Sequence, residues 1–335
     1  MPIRLLTGDD VTRLLPMPRC IEVMADVLGA LARGEAIQPL RTVIRLPGGR
    51  GAFAAMPAQT SHPDAFGLKV ITVYPGNEGT PFDSHQGAVL LFEPTHGTLA
   101  AIMDASALTA LRTAAVSAVA TRVLARPDAG DLALLGTGAE ARTHLEAMRC
   151  VRPLRRVRAW SRSPAKVAAF CGWAKQHLDV DVEAAGSARE AVTGADLICT
   201  LTSSRVPVLE SGWVGDGAHI NAVGASQPDA RELDSATVAR ARCYADRRES
   251  AQHEAGDFLI PRREGVVEEG HLLGELGEVL LRRITGRTHP DDVTVFKSLG
   301  LAVEDVAAAH AVHAEAERLG VGTVVELGGQ RVPPT

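Results

Sequence analysis

Paired cysteines are missing. Cys20, Cys150, Cys171, Cys199 and Cys243 are scattered over 335 residues, odd in number, with no C-x-x-C pair. Neither a zinc site nor a disulfide framework is indicated, and a reducing compartment fits. Aromatic side chains make up only 4% of the chain, little material for a pocket lined for large aromatic ligands. Clustered positive charge is scarce as well. The formal net charge is -5 and the pI about 6.1, and the basic spot at Arg155, Arg156 and Arg158 is too short to track a phosphate backbone, so no nucleic-acid partner is expected. The opening MPIRLLTGDD has no apolar targeting region, and no uncharged apolar run reaches the ~18 residues of a membrane span. These absences set the expectation of a cytoplasmic protein without a membrane partner. What is present is 46% hydrophobic and 22% charged residues, enough to bury a sizeable core and, at this length, to form two domains.

The first ~35 residues read as helix, because Ile21, Met24, Val27, Leu28 and Leu31 recur at helical spacing after Pro18, which suits a first-turn position. Sheet is expected next, at Arg41 to Leu46, Leu68 to Val73, Ala88 to Phe92 and Leu99 to Met103, with Pro47-Gly48-Gly49 and Pro94-Thr95-His96-Gly97 as turns. Ser106 to Ala125 is alanine-rich with no Gly or Pro, and Pro127 follows. It reads as a long helix bridging two domains. Beyond Gly130 short apolar runs alternate with helical stretches, the pattern of a doubly wound parallel sheet. Its strands are read at Leu132 to Leu135, Val157 to Trp160, Leu197 to Thr200, Ala218 to Val223 and Thr294 to Phe296. Leu301 to Leu319 is again helical and can return the chain to the first domain. The expected architecture is α/β: a Rossmann-type doubly wound parallel sheet over 123–302, plus a discontinuous α+β domain for substrate binding and dimerisation, made of 1–122 and completed by 303–335.

Leu132-Ala133-Leu134-Leu135 runs straight into Gly136-Thr137-Gly138-Ala139-Glu140-Ala141, a G-x-G-x-x-A turn opening a helical pattern. Gly136 permits the tight turn, Gly138 lets backbone approach a pyrophosphate at the helix N-terminus, and Ala141 allows close packing. At the end of the next strand an NAD enzyme places a carboxylate on the ribose hydroxyl. This chain instead has Trp160-Ser161-Arg162-Ser163. An Arg flanked by hydroxyls can accept a 2′-phosphate, so NADP(H) is expected over NAD(H).

Several further segments carry a resemblance over nearly the whole chain. They are Gln38-Pro39-Leu40-Arg41-Thr42, Met56-Pro57, Ser84-His85-Gln86, Leu91-Phe92-Glu93-Pro94, Thr109-Ala110-Leu111-Arg112-Thr113-Ala114-Ala115, Gly217 to Ser226 (GAHINAVGAS) and Val295-Phe296-Lys297-Ser298-Leu299-Gly300. In these the sequence resembles the ornithine cyclodeaminase and mu-crystallin superfamily. The resemblance implies a homodimer formed through the non-Rossmann domains, with a small imino or amino acid between that domain and the nicotinamide. It also implies that Arg41, Lys69 and Arg112 are the cations at the reacting substrate. Met56, His85 and Ser226 would be further substrate contacts. Thr113, Lys166, Thr200, Leu201, Thr202, Val223, Phe296, Lys297 and Ser298 would join the glycine turn at the cofactor. No metal is implied. An Arg fork suits this work physically, since it holds a planar carboxylate in two parallel hydrogen bonds.

At position 226 the resemblance leads one to expect, in cyclodeaminases and archaeal alanine dehydrogenases, an Asp that handles protons; this chain has Ser226. Ala54-Ala55-Met56-Pro57 likewise lacks the Glu that cyclodeaminases carry shortly before Met-Pro. Both departures point to the mu-crystallin-like ketimine reductase branch and to reduction of a cyclic ketimine such as piperideine-2-carboxylate or pyrroline-2-carboxylate, in amino-acid metabolism. The alternatives are an ornithine or lysine cyclodeaminase with internally recycled NAD, a dehydrogenase of linear imino acids, and an NADPH-dependent small-ligand binder. Asp229 stands three residues from the departed Asp, and its expected role is a cap for the helix after Arg231.

Overall fold

The computed structural model describes residues 2–77 and 79–328. Residues 329–335 and Met1, which the expected domain limits include, lie outside the described residues. The described residues before Thr113 and after Gly300 form one compact unit, and Thr113–Gly300 forms the other. The division falls inside the helix Ala105–Leu124, between Arg112 and Thr113, where the sequence reading set it at 122.

In the first unit, among the described residues, one sheet runs in the order Thr323–Glu326, Pro2–Leu6, Leu99–Asp104, His85–Phe92, Asp64–Val73, Ala52–Ser61, Ala36–Ile37, with Thr42–Arg45 also paired to Ala52–Ser61. Only the pairing of Pro2–Leu6 with Leu99–Asp104 is parallel. The expected helix over the first ~35 residues is therefore corrected: the chain opens as a strand, then forms helices Gly8–Leu14 and Met17–Arg33. The strand's partners are about a hundred and three hundred residues away, so no local pattern reveals it. Met17–Arg33 keeps Pro18 in its first turn, buries Ile21, Met24, Val27 and Leu28, and ends on Gly34 at φ +79.

A strand unread in the sequence is Ala52–Ser61. Its alanines and Pro57 do not look like sheet. Along its outer side the pairing lapses between Ala55, opposite Thr42, and Gln59, opposite Ile37, and Pro57 sits in that gap. A residue with no N–H to give is tolerated there. The helix Ala302–Leu319 packs on Met17–Arg33 and across Ala52–Ser61, Asp64–Val73 and His85–Phe92, covering the face to which alternate residues of these strands point.

The second unit is a parallel sheet in the order Glu183–Ala184, Arg156–Trp160, Asp131–Leu135, Leu197–Thr200, His219–Ala222, Thr294–Lys297, Arg242–Ala245, Leu272–Glu275. From Asp131–Leu135 the chain builds outward to Glu183–Ala184, then crosses back to Leu197–Thr200 on the other side. The order thus reverses at Asp131–Leu135, a switch point whose strand ends open a crevice. Glu183–Ala184, Arg242–Ala245 and Leu272–Glu275 are two to four residues long, too short to show periodicity. Ala105–Leu124 is long and apolar enough to cross a membrane by composition, but 72% of its apolar window is buried within the fold.

Candidate active site

The glycine turn lies at the switch point. Gly136 has φ +117, and a Cβ on it would stand 2.5 Å from the Leu201 carbonyl, so glycine is required twice over. Gly138 caps the helix Ala139–Val151. It is exposed, and a Cβ there would meet no atom within 4 Å. That open space in front of a helix N-terminus is where a pyrophosphate would lie, so the residues present fit a dinucleotide. Ala141 is fully buried. Beneath the helix His144 donates from Nδ1 to the Glu140 carbonyl (2.7 Å) and accepts at Nε2 from Ser117 (3.0 Å). Burial holds it neutral, pulled down to about 4.

Thr137 Oγ1 donates to Ser161 Oγ (3.1 Å), which donates to the Ser163 carbonyl (3.2 Å). Ser163 caps Pro164–Leu178 by accepting from the Lys166 N–H. Arg162 and Lys166 are exposed beside this chain of hydroxyls. Other expected cofactor residues are engaged within the fold. Phe296 is fully buried, and the Lys297 ammonium pairs with Asp257 at 2.9 Å while nearly inaccessible. Thr113 and Ser298 are buried, and Val223 is half-buried.

Sequence reasoning missed what arranges the loops here. Glu232, wholly buried, accepts from Thr200 Oγ1 (2.8 Å) and the Gly224 N–H (2.7 Å) on one oxygen, and from the Thr202 N–H (2.6 Å) and Oγ1 (2.7 Å) on the other. One carboxylate thus ties together the ends of two neighbouring strands. Burial and nearby Asp257 raise its pKa, against the pull of Lys297 and the threonine donors. Asp257 in turn accepts from the N–H groups of Glu232 and Leu233. Nothing in the spacing of these residues announces the network, since its members come from segments far apart in the chain.

In the first unit the register sets Met56 opposite Lys69, and Lys69 opposite Val89. All three side chains point to the face under Ala302–Leu319. The Lys69 ammonium pairs with Asp305 Oδ2 at 2.8 Å and donates to Thr109 Oγ1 at 3.4 Å. Arg112 reaches Glu304 from NH1 and Asp305 from Nε, each at 3.0 Å. Lys69 and Arg112 are 2% and 4% exposed and both acids 0%. Arg41, half-buried at the start of the outer strand, is near enough to lower the pKa of Lys69. Lys69 falls to about 8: burial dominates, Arg112 and Arg41 add to it, and Asp305 opposes. His85 continues the same row at the strand's end, with Ser84 at 3.0 Å; partial desolvation of its ring and Lys69 lower its pKa against Asp83. Arg41, Lys69, Arg112, Met56 and His85 are therefore residues of one unit. Glu304 and Asp305, which order the cations, were not anticipated.

Ser226 is exposed in the second unit. Asp229 does not cap a helix, correcting the expectation. It pairs with Arg205 at the surface, and Asp234 caps Ser235–Arg240 by accepting from the Thr237 N–H at 2.9 Å. The cap belongs to the residue directly before the first helical turn, and Asp229 stands too early.

A doubly wound parallel sheet with a glycine turn at its switch point, joined to an α+β unit holding buried cations, defines a two-unit Rossmann-type α/β protein. The chain belongs to the ornithine cyclodeaminase/mu-crystallin family, whose model matches residues 4–319. It is 43% identical over 282 residues to ketimine reductase mu-crystallin of Mus musculus, covering 84% of this chain and 85% of that one. To a Delta(1)-pyrroline-2-carboxylate reductase of Bacillus cereus it is 33% identical over 323 residues, 96% and 99% of the two chains. The solved structure of Thermococcus litoralis Delta(1)-pyrroline-2-carboxylate reductase in complex with NADH and L-proline matches with a TM-score of 0.94 at 36% identity, covering 96% of this chain and 99% of that one.

Proposed function

We propose that the protein is an NADPH-dependent imine reductase that converts a small cyclic ketimine carboxylate, piperideine-2-carboxylate or pyrroline-2-carboxylate, to the cyclic amino acid. The observation that carries this reading is the buried cation cluster: Lys69, Arg112 and Arg41 against two carboxylates, Glu304 and Asp305. Three cations converging on one buried place suit a substrate carboxylate. The reductases among its relatives support it. So does Ser226, which brings no carboxylate to handle ammonia or water.

The cofactor, when bound, supplies hydride to the imine carbon. Arg112 and Lys69 hold the substrate carboxylate, and Arg41 adds charge at the outer strand. Their buried setting strengthens that grip by removing water. A protonated ring imine is already electrophilic and gains only hydride, so no side chain has to deliver a further proton in that step. The turn Gly136 to Glu140 holds the pyrophosphate on the helix N-terminus. Arg162 and Lys166, exposed beside Ser161 and Ser163, recognise a 2′-phosphate. The protein acts in the cytoplasm as a homodimer through its first unit, where Ile37 and Ile44 are 68% and 55% exposed on neighbouring outer strands.

The test is NADPH oxidation with each ring ketimine, run beside NADH and beside ornithine with NAD. NADPH consumption that exceeds NADH consumption at least tenfold is expected. Equal use of both would remove the phosphate role of Arg162, and ammonia release from ornithine without ketimine reduction would make the protein a cyclodeaminase.

A further inference from the structure

Two acids stand beneath the substrate cations. Glu304 and Asp305 lie in the first turn of Ala302–Leu319, and Glu304 Oε2 also accepts from the Leu301 N–H at 3.0 Å. Their attachments differ. Glu304 pairs with Arg112, whereas Asp305 gives one oxygen to Arg112 and the other to Lys69. The groups acting on Lys69 come from several neighbouring elements: Asp305 from the C-terminal helix, Arg112 and Thr109 from Ala105–Leu124, Arg41 before the outer strand, and His85 from the adjoining strand, while Glu304 pairs with Arg112. Lys69 thus shares its carboxylate with Arg112, while two guanidinium groups bear on it.

On the reading that this cluster holds a substrate carboxylate, we propose that Asp305 is a positioning residue that makes carboxylate binding an event of proton uptake at Lys69. Buried, and with its counter-charge shared, Lys69 titrates at about 8. A second carboxylate beside the ammonium favours the charged form, so binding near that pH draws one proton from solvent onto the neutral amine, NH2 becoming NH3+. Below about pH 7 Lys69 is already charged and the uptake disappears. Asp305 both aims the ammonium and holds its titration above where burial and the two guanidinium groups alone would set it.

The experiment is calorimetric titration of the protein saturated with NADP+ with pyrrole-2-carboxylate, a planar ring acid without a reducible imine, in buffers of differing ionisation enthalpy from about pH 6 to 9. Uptake of about half a proton per site is expected near pH 8. Asp305→Asn should move the midpoint down by about one pH unit or more, because the opposing charge is lost. Glu304→Gln, which alters the pairing with Arg112, should leave the midpoint in place. Binding heats independent of the buffer in the unmodified protein, or uptake centred below the ordinary histidine value, on the side to which His85 is shifted, would overturn the inference alone. No binding of the acid, together with no turnover of either ketimine, would overturn the functional reading and the inference with it.

Discussion

Arg112 meets its two acids through different edges of one guanidinium, NH1 on Glu304 and Nε on Asp305. A lysine ammonium cannot span both directions at once, so Arg112→Lys should lower kcat/KM at least tenfold although charge is kept. Arg112→Ala should also lose stability, by about 3–5 kcal/mol, since two buried carboxylates would each lose a guanidinium partner. Thermal unfolding beside steady-state kinetics checks both, and an unchanged Tm for the alanine variant would show that the acids relax toward water. At this scale the sequence singles out Arg112 and Lys69 but not the acids they pair with. Arg112 is legible because it stands in a segment resembling a known family, and Lys69 because its position relative to such segments matches. Glu304 and Asp305 read as two ordinary acids opening a helix, where the dipole alone would justify them. Their partners lie some two hundred residues earlier, and burial is not written in local spacing.

The two glycines of the turn should respond oppositely to an added methyl group. Gly138→Ala has room in the protein and an allowed backbone conformation, φ −83 and ψ −162. It should fold with Tm nearly unchanged and raise the KM for cofactor at least tenfold, because the methyl would occupy the space a phosphate needs. Gly136→Ala should lose Tm as well, being strained at φ +117 and in collision with Leu201. A Gly138→Ala protein with ordinary cofactor KM would remove the phosphate from that position. Glu232→Gln bears on the neighbouring loops: its amide would set an N–H2 against backbone donors of Thr202 or Gly224. The KM for cofactor should rise more than kcat falls, checked by the same kinetics. The glycine turn was legible because strand, turn and helix are consecutive. The strands Pro2–Leu6, Ala52–Ser61, Arg242–Ala245 and Leu272–Glu275 were not: the first is defined by distant partners, the second is hidden by its alanines and Pro57, and the last two are too short to show a period.

Taken whole, the molecule concentrates buried histidines in the second unit. His219 donates from Nε2 to Asn221 Oδ1 (3.3 Å) and has Nδ1 2.9 Å from Thr294 Oγ1. Burial, helped by Arg287, holds it at about 3, as burial holds His144 at about 4. Unfolding releases both to about 6.5. Both folded values are depressed, so below about pH 6.5 the unfolded chain binds protons that the native one refuses. Stability is full above that pH and falls with acid by about 1.4 kcal/mol per pH unit for each histidine, down to its folded value. Tm followed between about pH 7 and 4.5 should show this loss, and His144→Gln should make the slope shallower; an equal slope in that variant would clear His144 of the effect.

The first unit draws on both ends of the chain, while the second is one uninterrupted stretch, and this orders their appearance during synthesis. Once residue 300 has been added, every strand of the parallel sheet has been made. The first unit at that moment holds Lys69 and Arg112 on its early elements with neither Glu304 nor Asp305 yet made, and Pro2–Leu6 still lacks its partner Thr323–Glu326. The last helix therefore arrives as the counter-charge and the roof of the first unit, so that Lys69 and Arg112 are buried only once the final stretch of chain has been made.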